Sequence, residues 1–191
     1  MDDPLAIFRE WFEAARASGL ELPEAMTLAT ADAEGRPSAR TVLLKGADEA
    51  GFSFFTNYES RKGRELAENP RAALVFHWAQ EPRRQVLVTG RVERLGGEES
   101  DEYWATRPAG SRLAAWASKQ SRPLPDREAL ELAYEEAERA HGDDPPRPLF
   151  WGGFLLVPDT VEFWESRPSR LHDRTRFTRT ENGWNREILA P

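Results

Sequence analysis

The chain contains no cysteine, so disulfides and thiolate metal sites are excluded. Histidine is scarce, with three in 191 residues. None stands with Asp or Glu at metal-ligand spacing, and metal chemistry is not expected. There is no Gly-Xaa-Ser-Xaa-Gly elbow and no Gly-rich phosphate loop. No apolar run approaches the ~20 residues of a membrane helix, and the acidic start Met1-Asp2-Asp3-Pro4 lacks the regions of a signal peptide. A cytoplasmic protein without a membrane partner is the expectation. Net charge is −7, which argues against broad nucleic-acid binding. What is present is aromatic: seven Trp and ten Phe in a chain that is 39% hydrophobic, enough for a sizeable core. No repeat or shift in composition divides it, so one domain over residues 1–191 is expected.

Asp3-Pro4 predicts a helix start, followed by Leu5, Phe8, Phe12 and Ala15 at helical spacing and a stop at Gly19. Strands are expected at 25–30, 40–45, 51–56, 72–78, 85–95, 150–158, 160–165 and 170–179, with a short tail strand at 184–189. Helices are expected at 61–68 behind Ser60, at 98–106, from a Ser111 cap to about 119, and behind Asp126 with Leu130, Tyr134 and Ala137 on one side. Short strands joined by tight turns predict a mainly β protein with peripheral helices (α+β), a barrel or a sandwich.

Several groups of residues suggest an anionic ligand. In Arg170-Leu-His-Asp-Arg174, an extended strand would project Arg170, His172 and Arg174 from one face. Two fixed cations around a titratable imidazole are costly to cluster without an anion between them. Arg61 and Lys62 follow Ser60 in a first helical turn, where cations oppose the helix dipole unless a phosphate binds there. Tyr103 and Arg107 are helical neighbours, and with Ser111 they can clamp a phosphate. Gln85, Gln120 and Ser121 can read the polar edge of a heterocycle. Arg40 and Lys45 are five apart, so a regular strand points them to opposite faces unless the strand ends between them. His77 is expected to decorate a strand, and His141 to face solvent.

In this order, Arg40-Thr-Val-Leu-Leu-Lys45, Phe55-Thr56, Ser60-Arg61-Lys62, Arg84-Gln85-Val86, Tyr103 with Arg107-Pro108, Ser118-Lys-Gln-Ser121, Phe150-Trp-Gly-Gly153, Glu162-Phe-Trp164 and Arg170-Leu-His-Asp-Arg174 resemble the pyridoxine/pyridoxamine 5′-phosphate oxidase family over nearly the whole chain. The resemblance implies an FMN-binding split β-barrel that forms a homodimer, with FMN at the subunit interface. It implies FMN contacts from Arg40, Thr41, Val42, Leu43, Leu44, Lys45, Phe55, Thr56, Arg61, Lys62, Gln85, Gln120, Ser121, Trp164 and Arg174. It implies substrate contacts from Lys45, Tyr103, Arg107, Ser111, Arg170 and His172, the last two nearest the chemistry. Arg40 and Lys45 would then serve different ligands. The implied reaction is oxidation of a small phosphorylated pyridine, an amine or an alcohol, by O2 to pyridoxal 5′-phosphate, with H2O2 and, from the amine, NH3. Two departures stand out. Phe55 replaces a frequent Tyr, and the sequence opens at Met1-Asp2-Asp3 where family members carry Arg and Tyr residues that fold over the substrate. Two alternatives stay open: a flavin oxidase of another aromatic intermediate, of the phenazine type, and a non-catalytic binder of FMN or pyridoxal phosphate. Tyr103, Arg107 and Ser111 favour a phosphorylated substrate.

Overall fold

A computed structural model describes residues 3–191; Met1 and Asp2, part of the acidic start, lie outside the described residues. Helix α1 (Pro4–Ala17) begins as its sequence predicts, with Asp3 accepting from the Leu5 N–H at 3.0 Å and Pro4 in the first turn. Its inner face carries Leu5, Phe8 and Ala15. Phe8 meets Phe52 edge-on at 4.8 Å and Phe76 at 4.9 Å, so the helix closes one end of the core.

The strands are β1 (Ala25–Ala31), β2 (Pro37–Leu43), β3 (Gly46–Ala47), β4 (Phe52–Asn57), β5 (Arg71–Trp78), β6 (Arg84–Arg94), β7 (Trp151–Glu165), β8 (Asp173–Thr180) and β9 (Gly183–Ile188). They form one nine-stranded sheet in the order β2-β1-β5-β6-β7-β4-β3, with β8 and β9 added beside β7. Every pairing is antiparallel. The sheet forks at β7, whose first half pairs with β4 and whose second half pairs with β8. Alternate residues turn inward, and Leu28, Phe54, Leu74, Phe76, Val86, Val88, Leu156 and Val161 are fully buried. This curled, forked sheet is the split barrel that the resemblance implies.

The helices α2 (Arg61–Glu68), α3 (Gly97–Thr106), α4 (Ala109–Ala117) and α5 (Arg127–His141) surround it. Among the described residues no helix is long and apolar enough to cross a membrane. Ser60 caps α2 through the Gly63 N–H at 3.3 Å, and Asp126 caps α5 through the Ala129 N–H at 2.8 Å. Gly63 is obligatory by proximity, since a Cβ there would lie 2.1 Å from the Tyr58 carbonyl oxygen. Gly63→Ala is therefore expected to push the start of α2 outward, lowering the melting temperature by several degrees and displacing Lys62. An unchanged thermal melt would show that α2 yields at no cost.

Four expectations need correction. The strands at 150–158 and 160–165 are one, because Pro158 sits at a bulge in β7, where Asp159 is the unpaired extra residue opposite Thr89 and Gly90 of β6 and proline is tolerated. Ser111 is not a cap: α4 starts at Ala109, and the Pro108 carbonyl accepts from Ser111 and Arg112. Strand β2 stops at Leu43, leaving Lys45 beyond its end. Residues 170–172 are not strand. Pro168–Arg170 form a 3₁₀ turn in which Ser169 (φ 59°) and Arg170 (φ 62°) are left-handed, and β8 begins only at Asp173. The alternation expected for Arg170, His172 and Arg174 is lost, since only Arg174 lies in a strand.

Candidate functional site

A cavity of about 840 Å3 opens between β2, β4, α2, α3, α4 and the segment after α4. Among the described residues four cations line it, Arg40, Lys45, Lys62 and Arg107, and no Asp or Glu does. Thr41, Val42, Leu43, Phe55, Thr56, Tyr103, Ser111, Gln120 and Ser121 complete the predicted residues that the fold brings there. Arg40 and Lys45 share the cavity because the strand ends between them, which removes the parity conflict.

At one end lies Lys62, carried by the first turn of α2 and only 8% exposed. Its Nζ donates to Gln120 Oε1 at 3.0 Å, Thr56 Oγ1 at 3.1 Å and Ser60 Oγ at 3.3 Å. Burial, then the charge of Arg40, lowers the ammonium pKa to about 8, and Glu65 opposes them. Beside it the Arg40 guanidinium donates to Leu28 O (3.2 Å), Thr30 Oγ1 (2.5 Å), Ser38 Oγ and Glu65 Oε2 (3.3 Å).

The other end is aromatic. Phe55 stacks on Tyr103 at 4.1 Å and on Trp151 at 5.7 Å. The Arg107 guanidinium lies 4.6 Å over Trp151 and 5.0 Å over Trp104, whose Nε1 is tied to the Pro145 carbonyl at 2.9 Å. Its Nη2 donates to the Ser111 carbonyl at 3.0 Å. Its Nη1 is buried without a partner, and burial lowers its pKa. Lys45 Nζ is 5.6 Å from the Tyr103 ring. A missing hydroxyl at Phe55 leaves this stack intact, because the residue works through its face.

Other predicted residues lie elsewhere. The Leu44 side chain is buried in the core. Arg61 turns its Nε to Glu65 Oε1 at 2.8 Å and lines a separate groove with Arg36 and Arg64. Gln85, Trp164 and Arg174 form a row across β6, β7 and β8, paired in register. Arg174 grips Glu162 Oε1 through Nε (2.9 Å) and Nη2 (2.7 Å). His172 lies 4.6 Å from the Trp164 ring, and its Nδ1 accepts from the Arg167 N–H at 3.1 Å, so the neutral ring carries its proton on Nε2. The turn that holds Arg170 is adjacent. Trp151 and Trp164 mark opposite ends of β7, about 40 Å apart along the strand. One chain therefore carries two groups of the residues that the resemblance implies, one at each end of β7.

Sequence reasoning passed over four contributors. Trp151 had a signal only in the Phe150-Trp-Gly-Gly153 motif, and Thr30 and Ser38 had none. Glu65 reads in sequence as an ordinary helical partner of Arg61 four residues on.

A forked antiparallel half-barrel with a cationic, aromatic-walled cavity defines a split-barrel protein equipped for an anionic ligand. The chain belongs to the pyridoxamine 5′-phosphate oxidase family. Residues 12–140 match the family profile described as pyridoxamine 5′-phosphate oxidase. Residues 151–191 match the one described as the pyridoxine 5′-phosphate oxidase C-terminal dimerisation region, so β7 to β9 form that region here. The chain is 57% identical over 190 residues to a pyridoxine/pyridoxamine 5′-phosphate oxidase of Cupriavidus necator, covering 99% of this chain and 89% of that protein. A protein of the same name from Burkholderia multivorans is 56% identical over 192 residues, with the same coverage. Among solved structures, PhzG from Burkholderia lata, crystallised with tetrahydrophenazine-1-carboxylic acid, superposes with a TM-score of 0.94 at 34% identity, covering 100% of this chain and 94% of that one. A pyridoxamine 5′-phosphate oxidase-related, FMN-binding protein from Nostoc punctiforme shares the fold, with a TM-score of 0.79 at 20% identity over the whole of both chains.

Proposed function

We propose that the protein uses FMN and O2 to oxidise pyridoxamine 5′-phosphate and pyridoxine 5′-phosphate to pyridoxal 5′-phosphate. The amine, O2 and water give aldehyde, NH3 and H2O2; the alcohol and O2 give aldehyde and H2O2. The observation that carries this reading is a cavity with two separate cationic ends and, among the described residues, no lining carboxylate. Its volume suits a small-molecule site, typically ~300–1,000 Å3. The donor set fits FMN: Arg40 and Lys62, with Thr56, Gln120 and Ser121, offer charged and neutral donors to a phosphate. Bound FMN would supply the two-electron acceptor that side chains lack, and would pass the electrons to dioxygen.

The chain's own residues would bind and orient. Arg107, with its unpartnered Nη1, would hold the substrate phosphate together with Lys45 and Ser111. The wall of Phe55, Tyr103 and Trp151 would exclude water on that side. The second half-site, with Gln85, Trp164, Arg170, His172 and Arg174, would come from the partner of a homodimer. The match of residues 151–191 to a dimerisation region supports that arrangement. There, His172 Nε2–H would be a donor to the substrate, and Arg170 would handle its charge.

The likeness to PhzG favours a second reading, a flavin oxidase of phenazine-type intermediates. The substrate phosphate separates the two. The purified protein in air should turn over pyridoxamine 5′-phosphate with kcat/KM at least ~100-fold above that for unphosphorylated pyridoxamine, followed as aldehyde and peroxide. Arg107→Ala should abolish most of that preference. Equal rates with and without the phosphate would favour the second reading. Stoichiometric binding without oxygen uptake would make the protein a carrier.

A further inference from the structure

Glu65 lies one helical turn beyond Arg61 and is only 5% exposed. A carboxylate so close to Arg40 and Lys62 should weaken an anion site by direct repulsion. Its contacts give it another task. Oε2 accepts from Thr30 Oγ1 at 2.5 Å, Ser38 Oγ at 2.6 Å and Arg40 Nη2 at 3.3 Å, and Oε1 accepts from Arg61 Nε at 2.8 Å. Thr30 and Ser38 each have one hydroxyl proton. With that proton directed at Glu65, both oxygens are left as acceptors, and Arg40 donates into both of them, through Nη1 to Thr30 and Nη2 to Ser38. The carboxylate thus orients two hydroxyls, and these, with the Leu28 carbonyl, fix the plane of the Arg40 guanidinium. Burial would raise the Glu65 pKa, but hydrogen bonds from Ser38, Thr30 and Arg61, with the charge of Arg40, hold it at about 2, so it stays ionised. Glu65 also acts on Lys62. The charges that act on that ammonium are Arg40 from β2 and Glu65 from its own helix, and its hydrogen-bond partners Thr56, Ser60 and Gln120 are neutral.

The geometry points to Glu65 as the positioning residue of the cofactor phosphate site: through Thr30 and Ser38 it holds Arg40 in one place, so that arm of the cationic cradle stands assembled before the anion arrives. This rests on the assignment of FMN to the cavity. Repulsion alone predicts that removing the carboxylate tightens phosphate binding; positioning predicts the reverse.

The test is retention of flavin by the purified holoprotein on dilution, read by the recovery of free flavin fluorescence. Glu65→Gln should hold FMN about tenfold more weakly at pH 7, because a single amide oxygen cannot serve both Arg61 and the cluster on Oε2. The pH profile adds a readout that simple loss of stability would not move. Wild-type retention should be level up to about pH 8 and then weaken as the free protein's Lys62 loses its proton. In Glu65→Gln the decline should begin at lower pH. Equal or tighter retention with the same onset would overturn the role. If Glu65→Gln does not fold, Glu65→Asp serves. It keeps the charge but withdraws it by one methylene, so retention should fall while the onset stays near pH 8; wild-type retention in Glu65→Asp would overturn the role as well. If the wild-type protein itself takes up no flavin, the cofactor assignment fails first, and the role of Glu65 falls with it.

Discussion

Co-expressing two inactive variants in equal amounts should restore about a quarter of wild-type turnover. One variant carries Lys62→Met with Arg107→Ala, the other Arg170→Ala with His172→Ala. The expectation follows from the roughly 40 Å of strand between the two proposed half-sites: Trp151 lines the cavity at one end of β7, while Trp164 packs against His172 at the other. In the proposed two-fold dimer, the first group of one chain would meet the second group of its partner, twice. Random pairing makes about half the dimers mixed, and each mixed dimer has one site with every residue intact and one with all four replaced. Activity no higher than that of the separate variants would mean that catalysis needs only one of the two sets, or that both sets act within one chain.

Lys62→Met should have opposite effects on cofactor binding and on the pH response of stability. At pH 7 the variant should lose flavin about 100-fold more readily, the size of effect expected when a charge-assisted hydrogen bond to phosphate is removed at a buried position. Stability of the cofactor-free protein should respond to pH in a defined window. The Lys62 ammonium titrates near 8 in the folded chain, against 10.5 for an ordinary lysine. Between those values the unfolded chain binds more protons, so folded stability rises with pH there. Below pH 8 both states are protonated, and the cost of burying the charge is present in full. Urea denaturation should therefore show the wild-type protein gaining on the order of 3 kcal/mol relative to Lys62→Met from pH 8 to 10.5. A constant difference would mean that water reaches Lys62. A variant that stays yellow after gel filtration would remove it from the phosphate site.

How much was legible in advance depends on the distance over which each feature is encoded. The helix starts at Asp3, Ser60 and Asp126 were readable because a cap joins a side chain to an N–H two or three residues away. The inward rows of the strands were readable from alternation, as at Leu74, Phe76 and Trp78. Most of the cavity lining was anticipated through ordered motifs that no single residue would have justified. Residues 170–172 were misread as the start of a strand because Arg170, His172 and Arg174 alternate, while Pro168 and two left-handed residues, Ser169 and Arg170, impose a different path. Glu65 was invisible because its significance comes from Thr30, Ser38 and Arg40, which are far from it in sequence.

By itself the amino-acid order determined the local elements, the absence of thiol chemistry and the residue types able to meet two phosphates, since each depends on neighbours in the chain or on composition. Only the tertiary structure decided that Arg40 and Lys45 share a cavity, that Arg107 packs over two tryptophans with a donor left over, and that Trp164 and Arg174 lie at the far end of β7 from that cavity. Those are outcomes of long-range strand pairing and of where β2 ends, and both are settled when distant segments compete to bury the same core.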